Sequence, residues 1–167
     1  MSKKYELLQN DTIVSESGET LYRIRALRSF RDVQEGDLGG YIAKEENLSH
    51  RGNAWVSDTA RVFDNARVSG NAQVFGRARV YGKAWVYSAA WVYGNAQVYD
   101  SARVYGKARV YSVARVYGDA RVHGDVWVHD SARVFGHARV YGKAQVYGNA
   151  SVFGIARVYG KAQVSDN

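Results

Sequence analysis

The sequence predicts an all-β solenoid, a triangular parallel coil of about six turns of 18 residues each behind a small N-terminal cap. Three observations predict it: an uninterrupted six-residue period, the fixed places of alanine and valine within that period, and the absence of proline from all 167 residues. Proline would remove a ladder donor from a strand, and the 13 tyrosines favour one.

From Asn53 the chain divides into hexads: Asn53-Ala-Trp-Val-Ser-Asp58, Thr59-Ala-Arg-Val-Phe-Asp64, Asn65-Ala-Arg-Val-Ser-Gly70. The frame runs without insertion or deletion to Lys161-Ala-Gln-Val-Ser-Asp166. Position two is alanine except at Val126, and position four is always valine. Two apart on a strand, these share one face, and positions three and five share the other. The alanine–valine pair is therefore the core. Position six is Gly, Asp or Ser, residues suited to a turn that takes a positive φ. Position one completes the turn in solvent.

A meander of short hairpins fits the same spacing, but it would leave one flat sheet with its Ala/Val face uncovered. Three hexads per turn instead let Ala and Val fill a narrow interior from three directions. Each strand then bonds to the hexad 18 residues away, and the small size of alanine is explained by a tight corner.

Residues 1–45 lie outside the hexad and read as the capping segment, with 46–167 as the solenoid. Lys4–Leu8, Thr12–Val14 and Thr20–Leu27 read as short strands, with Ser15-Glu-Ser-Gly18 as a turn. Ser29–Val33 reads as the start of a short helix. A solenoid needs its open end covered, which is the role assigned to this segment. The last hexad stops at Asn167 without a corresponding cap. An open edge strand invites pairing, so a homo-oligomer formed through the C-terminal end or an aromatic face is expected.

The chain has no cysteine, which excludes disulfides and thiolate metal sites. Its start, Met-Ser-Lys-Lys-Tyr-Glu, lacks the apolar region of a signal peptide, and no run approaches the ~20 apolar residues of a membrane span. A cytoplasmic protein that makes no membrane contact is the expectation. The net charge of +7 is unevenly placed. From Asn53 onward, eleven Arg and four Lys face seven Asp and no Glu, while residues 1–52 carry eight basic and nine acidic groups. An anionic partner would therefore meet the coil.

Read as Val-Tyr-Gly-Lys-Ala-Arg, aliphatic first and small fifth, the hexad resembles the hexapeptide repeat of the left-handed parallel β-helix family. Gly39-Gly-Tyr-Ile-Ala-Lys-Glu-Glu-Asn-Leu-Ser-His-Arg-Gly-Asn-Ala-Trp-Val56 resembles the segment that leads into the coil in a poorly characterised bacterial and prophage subgroup. The resemblance covers roughly residues 40–167. It implies a left-handed coil, which periodicity alone does not give. It also implies three functional classes to weigh: acyltransferases, carbonic anhydrases and proteins without catalysis. The prophage kinship implies an inhibitor of a host protein or a virion component. Acyltransferases of this family use a His beside a loop extruded between coils, and this chain has no such loop. The carbonic anhydrases bind zinc with three His at a subunit boundary. Here His123 and His129 take equivalent places in successive hexads, on different sides of the prism, and His137 sits at a corner; within one subunit they cannot converge. No enzyme activity, metal or cofactor is expected. A degenerate acyltransferase is the enzyme alternative, with acetyl-coenzyme A binding as its discriminator.

Outward residues 18 apart should stack as columns, roughly 4.8 Å per rung. The first side carries Trp55, Trp91 and Trp127 beside Tyr93 and Tyr111, the candidate residues for a protein partner, since Tyr, Trp and Arg are enriched in interfaces. The second carries Arg61, Arg79, Arg115 and Arg133 beside Tyr81, Tyr99 and Tyr117; the third carries Arg103, Arg121 and Arg139. These are the candidate anion-binding residues. A self-supporting surface explains the same columns through ring stacking and Arg packed over rings. Against that, Arg stacked on Arg is repulsive, and the coil has no Glu to alternate with it. The resulting expectation is a non-catalytic scaffold presenting flat faces to a protein with an acidic surface. The alternative is non-specific polyanion or nucleic-acid binding, because a ~4.8 Å rung does not match the ~3.4 Å rise of a duplex strand.

Overall fold

The computed structural model describes residues 2–166. β1 (Tyr5–Val14), β2 (Thr20–Ala26) and β3 (Leu38–Ile42) form an antiparallel sheet, and β1 carries a bulge between Leu8 and Thr12. Nineteen short strands follow, one per hexad, from β4 (Trp55–Val56) to β22 (Gln163–Asp166). Each pairs in parallel with the strand 18 residues on, as in Trp91↔Arg109, Gln97↔Arg115 and Arg103↔Arg121. Three sheets result, and the architecture is a parallel β-solenoid, not a meander.

The solenoid has about seven turns rather than six, because a coil forms before the hexads begin. Tyr41 in β3 pairs with Arg61, and Leu48 bridges Val68, both 20 residues apart rather than 18. β3 thus belongs to the cap and the coil together: antiparallel to β2 on one edge, parallel to Arg61–Val62 on the other. The expected helix at Ser29–Val33 is absent. Phe30 and Val33 exchange backbone hydrogen bonds at 2.8 and 2.9 Å around Arg31, whose φ is 49°, so the segment closes as a tight loop. A single 3₁₀ turn at Glu45–Asn47 was not legible beforehand.

The core is one residue deep. The alanines and valines at positions two and four are 0–1% exposed from Ala54 to Val146, with Val126 standing in the alanine place. Position six has positive φ at every sixth residue from Asp58 to Gly160. The Asp residues among these hold the next rung: the Asp58, Asp64, Asp100 and Asp130 carboxylates accept from the backbone N–H of Gly76, Gly82, Gly118 and Gly148 at 2.9–3.1 Å. The Gly148 hydrogen bond holds the Asp130 carboxyl below the usual range, with His129 contributing. Turn preference alone did not reveal this second task of the corner aspartates.

The cap seals the first turn with polar groups that are fully partnered. Lys4 is buried and donates through Nζ to the Ala54 carbonyl at 2.6 Å and over the Phe30 ring, and burial brings its ammonium pKa down to about 8. Tyr5 donates to the Leu48 carbonyl at 2.6 Å and stacks on His50 at 4.1 Å. The buried Asn47 amide accepts from the N–H of Ala43 and Lys44 and donates to the Ala66 and Asp64 carbonyls. No buried side-chain N or O among the described residues lacks a partner, as a closed seal requires. No helix of the described chain is long and apolar enough to cross a membrane.

Candidate functional site

Because every hexad repeats the same strand and corner, the 18-residue register stacks the outward residues into continuous columns. The rings form three ladders, one on each side: Phe63 through Phe153, Phe75 through Tyr147, and Tyr87 through Tyr159. Ring centroids lie 4.7–5.5 Å apart, with planes within 14° of parallel. Each stacked pair contributes about 0.5–1.5 kcal/mol beyond its buried area. Burial raises the hydroxyl pKa of Tyr81, Tyr87, Tyr99 and Tyr111, so these rings stay neutral at ordinary pH. His123 and His129 sit within the ladders, stacked between Tyr105 and Tyr141 and between Tyr111 and Tyr147. Burial, reinforced by Arg139 and Arg121, lowers the pKa of His123.

The first side differs from expectation at one residue. Trp55 is 4% exposed, packed edge-on between Phe30 at 5.3 Å and Tyr5 at 6.4 Å. It is part of the cap seal and is not presented to a partner. The sequence pattern placed it in the outward column correctly, but residues 5 and 30 fold back over that column from outside the hexad frame. Trp91 and Trp127 remain on the surface, with Trp127 40% exposed, and the guanidinium of Arg109 lies between them, 4.7 Å from one ring and 5.8 Å from the other. Tyr93 and Tyr111 stack beside them at 4.9 Å. Much of this side therefore satisfies itself internally.

The second side is divided. Gln97 interrupts the arginine column and takes part in a 3.0 Å hydrogen bond with the Tyr81 hydroxyl. This leaves two arginine pairs, Arg61/Arg79 and Arg115/Arg133. The turn between β1 and β2 laps over the first pair. Glu16 forms ion pairs with Arg79 and, at 3.9 Å, with Arg61. The Glu19 carboxylate accepts from the Asp64 N–H at 3.0 Å, and Leu21 with Tyr41 buries Phe63 to 3% exposure. Arg61 and Arg79 are thus half-covered and already compensated. Their assignment to an open anion site is corrected on that ground: a contact between residues 16 and 79 has no trace in a local pattern. Arg115 and Arg133 are exposed, and no carboxylate among the described residues pairs with either. Tyr99 and Tyr117 continue the ring ladder alongside.

The third side carries the longest basic run, Arg103, Arg121, Arg139 and Arg157 in consecutive coils, all exposed. Arg103 leans over Trp85 at 5.7 Å. The three upper arginines line a shallow, open depression with Asp119 and His137, whose Nδ1 lies 3.5 Å from the Asp119 carboxylate. Among the described residues, no three His, Asp or Glu side chains gather in a way that could hold a metal.

Sequence reasoning missed Glu16 and the sealing residues Lys4, Tyr5, Asn47 and His50. Each acts across more than fifteen residues of chain, outside any periodic signal. No curated protein matches the chain. Four stretches, residues 60–74, 72–88, 96–112 and 114–130, match the family described as the YdcK beta solenoid repeat, to which this coil is therefore similar.

Proposed function

We propose that the protein is a non-catalytic binding scaffold whose second and third sides receive an acidic macromolecule, a protein in the first place. The observation that carries this reading is the run of exposed guanidinium groups on Arg103, Arg121, Arg139 and Arg157, one per rung, with Asp119 the one carboxylate lining the depression beside them. Adjacent like charges at such spacing repel by up to about 1 kcal/mol in water-like surroundings. An anionic surface would relieve that cost along the whole column. The ring ladders hold the faces flat and rigid, which reduces the ordering cost of association. Solenoid repeats offer extended binding surfaces of this kind. The hexapeptide-repeat kinship, supported by the Ala/Val hexad, forms part of the same reading, and the left-handed coil is what that kinship implies.

The test is an anisotropy titration of the whole chain with fluorescein-labelled polyglutamate and with mixed-sequence single-stranded DNA of matched length and charge, at low and physiological salt. Binding of polyglutamate that weakens with salt and is at least as tight as that of DNA is the expected result. Tighter DNA binding would replace the protein partner with nucleic acid. Binding of neither would overturn the reading.

A further inference from the structure

The second side contains its own example of how such a face takes an acidic ligand. Gln97 splits the arginine column into two pairs, each beside two stacked rings. Arg61 and Arg79 lie beside the parallel rings of Phe63 and Tyr81, with centroids 5.0 Å apart at 3°. Arg115 and Arg133 lie beside Tyr117 and Phe135, 4.9 Å apart at 1°. Both pairs stand on the same sheet, three coils apart, about 14 Å along the solenoid. The first pair is filled by the chain itself: Glu16 bridges both guanidinium groups, and Ser17 lies against the depression lined by Phe63 and Tyr81. The second also has two guanidinium groups beside two stacked rings, its arginines are exposed, and no described residue covers it.

We infer that Arg115 and Arg133, with Tyr117 and Phe135, form a second receiver for an acidic turn, filled by a glutamate or aspartate of a partner protein in the way Glu16 fills the first. One carboxylate spans two rungs, so a single acidic side chain that reaches the pair is enough to fill it, in a turn or in an extended acidic chain. Small neighbours such as Ser17 let the turn lie on the rings. The inference rests on the scaffold reading above and assigns it a place.

Calorimetric titration with polyglutamate separates the two claims. In Arg115→Gln/Arg133→Gln the affinity should fall by about tenfold, the combined effect of two lost surface ion pairs. In Glu16→Gln the first pair is released, and the stoichiometry should rise by one acidic segment per chain. Thermal melts of each variant report whether it is folded; if the double variant is not, the single variants Arg115→Gln and Arg133→Gln carry the test, each expected to weaken binding about threefold. Unchanged affinity in the double variant, with loss in Arg121→Gln/Arg139→Gln instead, overturns the receiver but leaves the basic-face reading standing. No binding by the wild-type chain overturns both. A Glu16→Gln chain with unchanged stoichiometry overturns the equivalence of the two pairs.

Discussion

Val98→Asp is expected to abolish folding, leaving neither a β-sheet circular dichroism signal nor a cooperative melt at neutral pH. Val98 is fully buried and stacked between Val80 and Val116 in a core one residue deep. The other inward residues there are alanine and valine, so no side chain can donate a hydrogen bond to the new carboxylate. An unpartnered buried charge costs about 4 kcal/mol or more, a large share of the ~5–15 kcal/mol that holds a domain folded. Tyr99→Ser, one residue on, should be far milder. That ring faces outward between Tyr81 at 5.0 Å and Tyr117 at 4.9 Å, so its loss removes two stacking contacts and costs about 1–3 kcal/mol. Equal damage from the two substitutions would contradict the inward and outward assignment of the hexad.

Gly106→Val is expected to be the second most damaging change, lowering stability by roughly 3 kcal/mol or more. Gly106 has φ of 68°, and a Cβ there would lie 2.7 Å from the backbone N of Gly124 in the next coil. The corner backbones are in contact, so the new atom has no flexible neighbour to displace. Valine also adds two γ-carbons in a conformation that β-branched residues avoid. The comparison is Ser88→Gly in the same corner column. Ser88 already carries a Cβ at φ 56°, and removing it should change stability by no more than about 1 kcal/mol. Chemical denaturation measures both; a Gly106→Val chain as stable as Ser88→Gly would show that corner contact does not limit the coil.

These two substitutions also mark what the sequence makes legible. Ala and Val recur two apart in every hexad, so the inward face follows from the period of a strand, and the coil from the need to cover that face. The positive φ at position six follows from the recurrence of Gly and Asp there. All of this is local repetition, which one sequence displays in full. The contacts between cap and coil are different. Glu16 reaches Arg61 and Arg79, Lys4 reaches the Ala54 carbonyl, and Phe30 covers Trp55, each across a long stretch of chain and each made once. A contact made once leaves no period to detect. For this reason the sequence placed Trp55, Arg61 and Arg79 among the outward columns correctly and still misjudged their accessibility. The 20-residue first coil was hidden for a related reason: its strand, Leu38–Ile42, lacks the hexad signature.

The inward face of each strand specifies the fold, and the proposed binding falls to the outward arginines. The most direct test is polyglutamate binding by a chain in which Arg103, Arg115, Arg121, Arg133, Arg139 and Arg157 are all replaced by Gln. The account predicts an intact β-sheet spectrum and an undiminished melting temperature, since the repulsion along the columns is removed, together with loss of binding. Retention of wild-type affinity by that folded variant would contradict it.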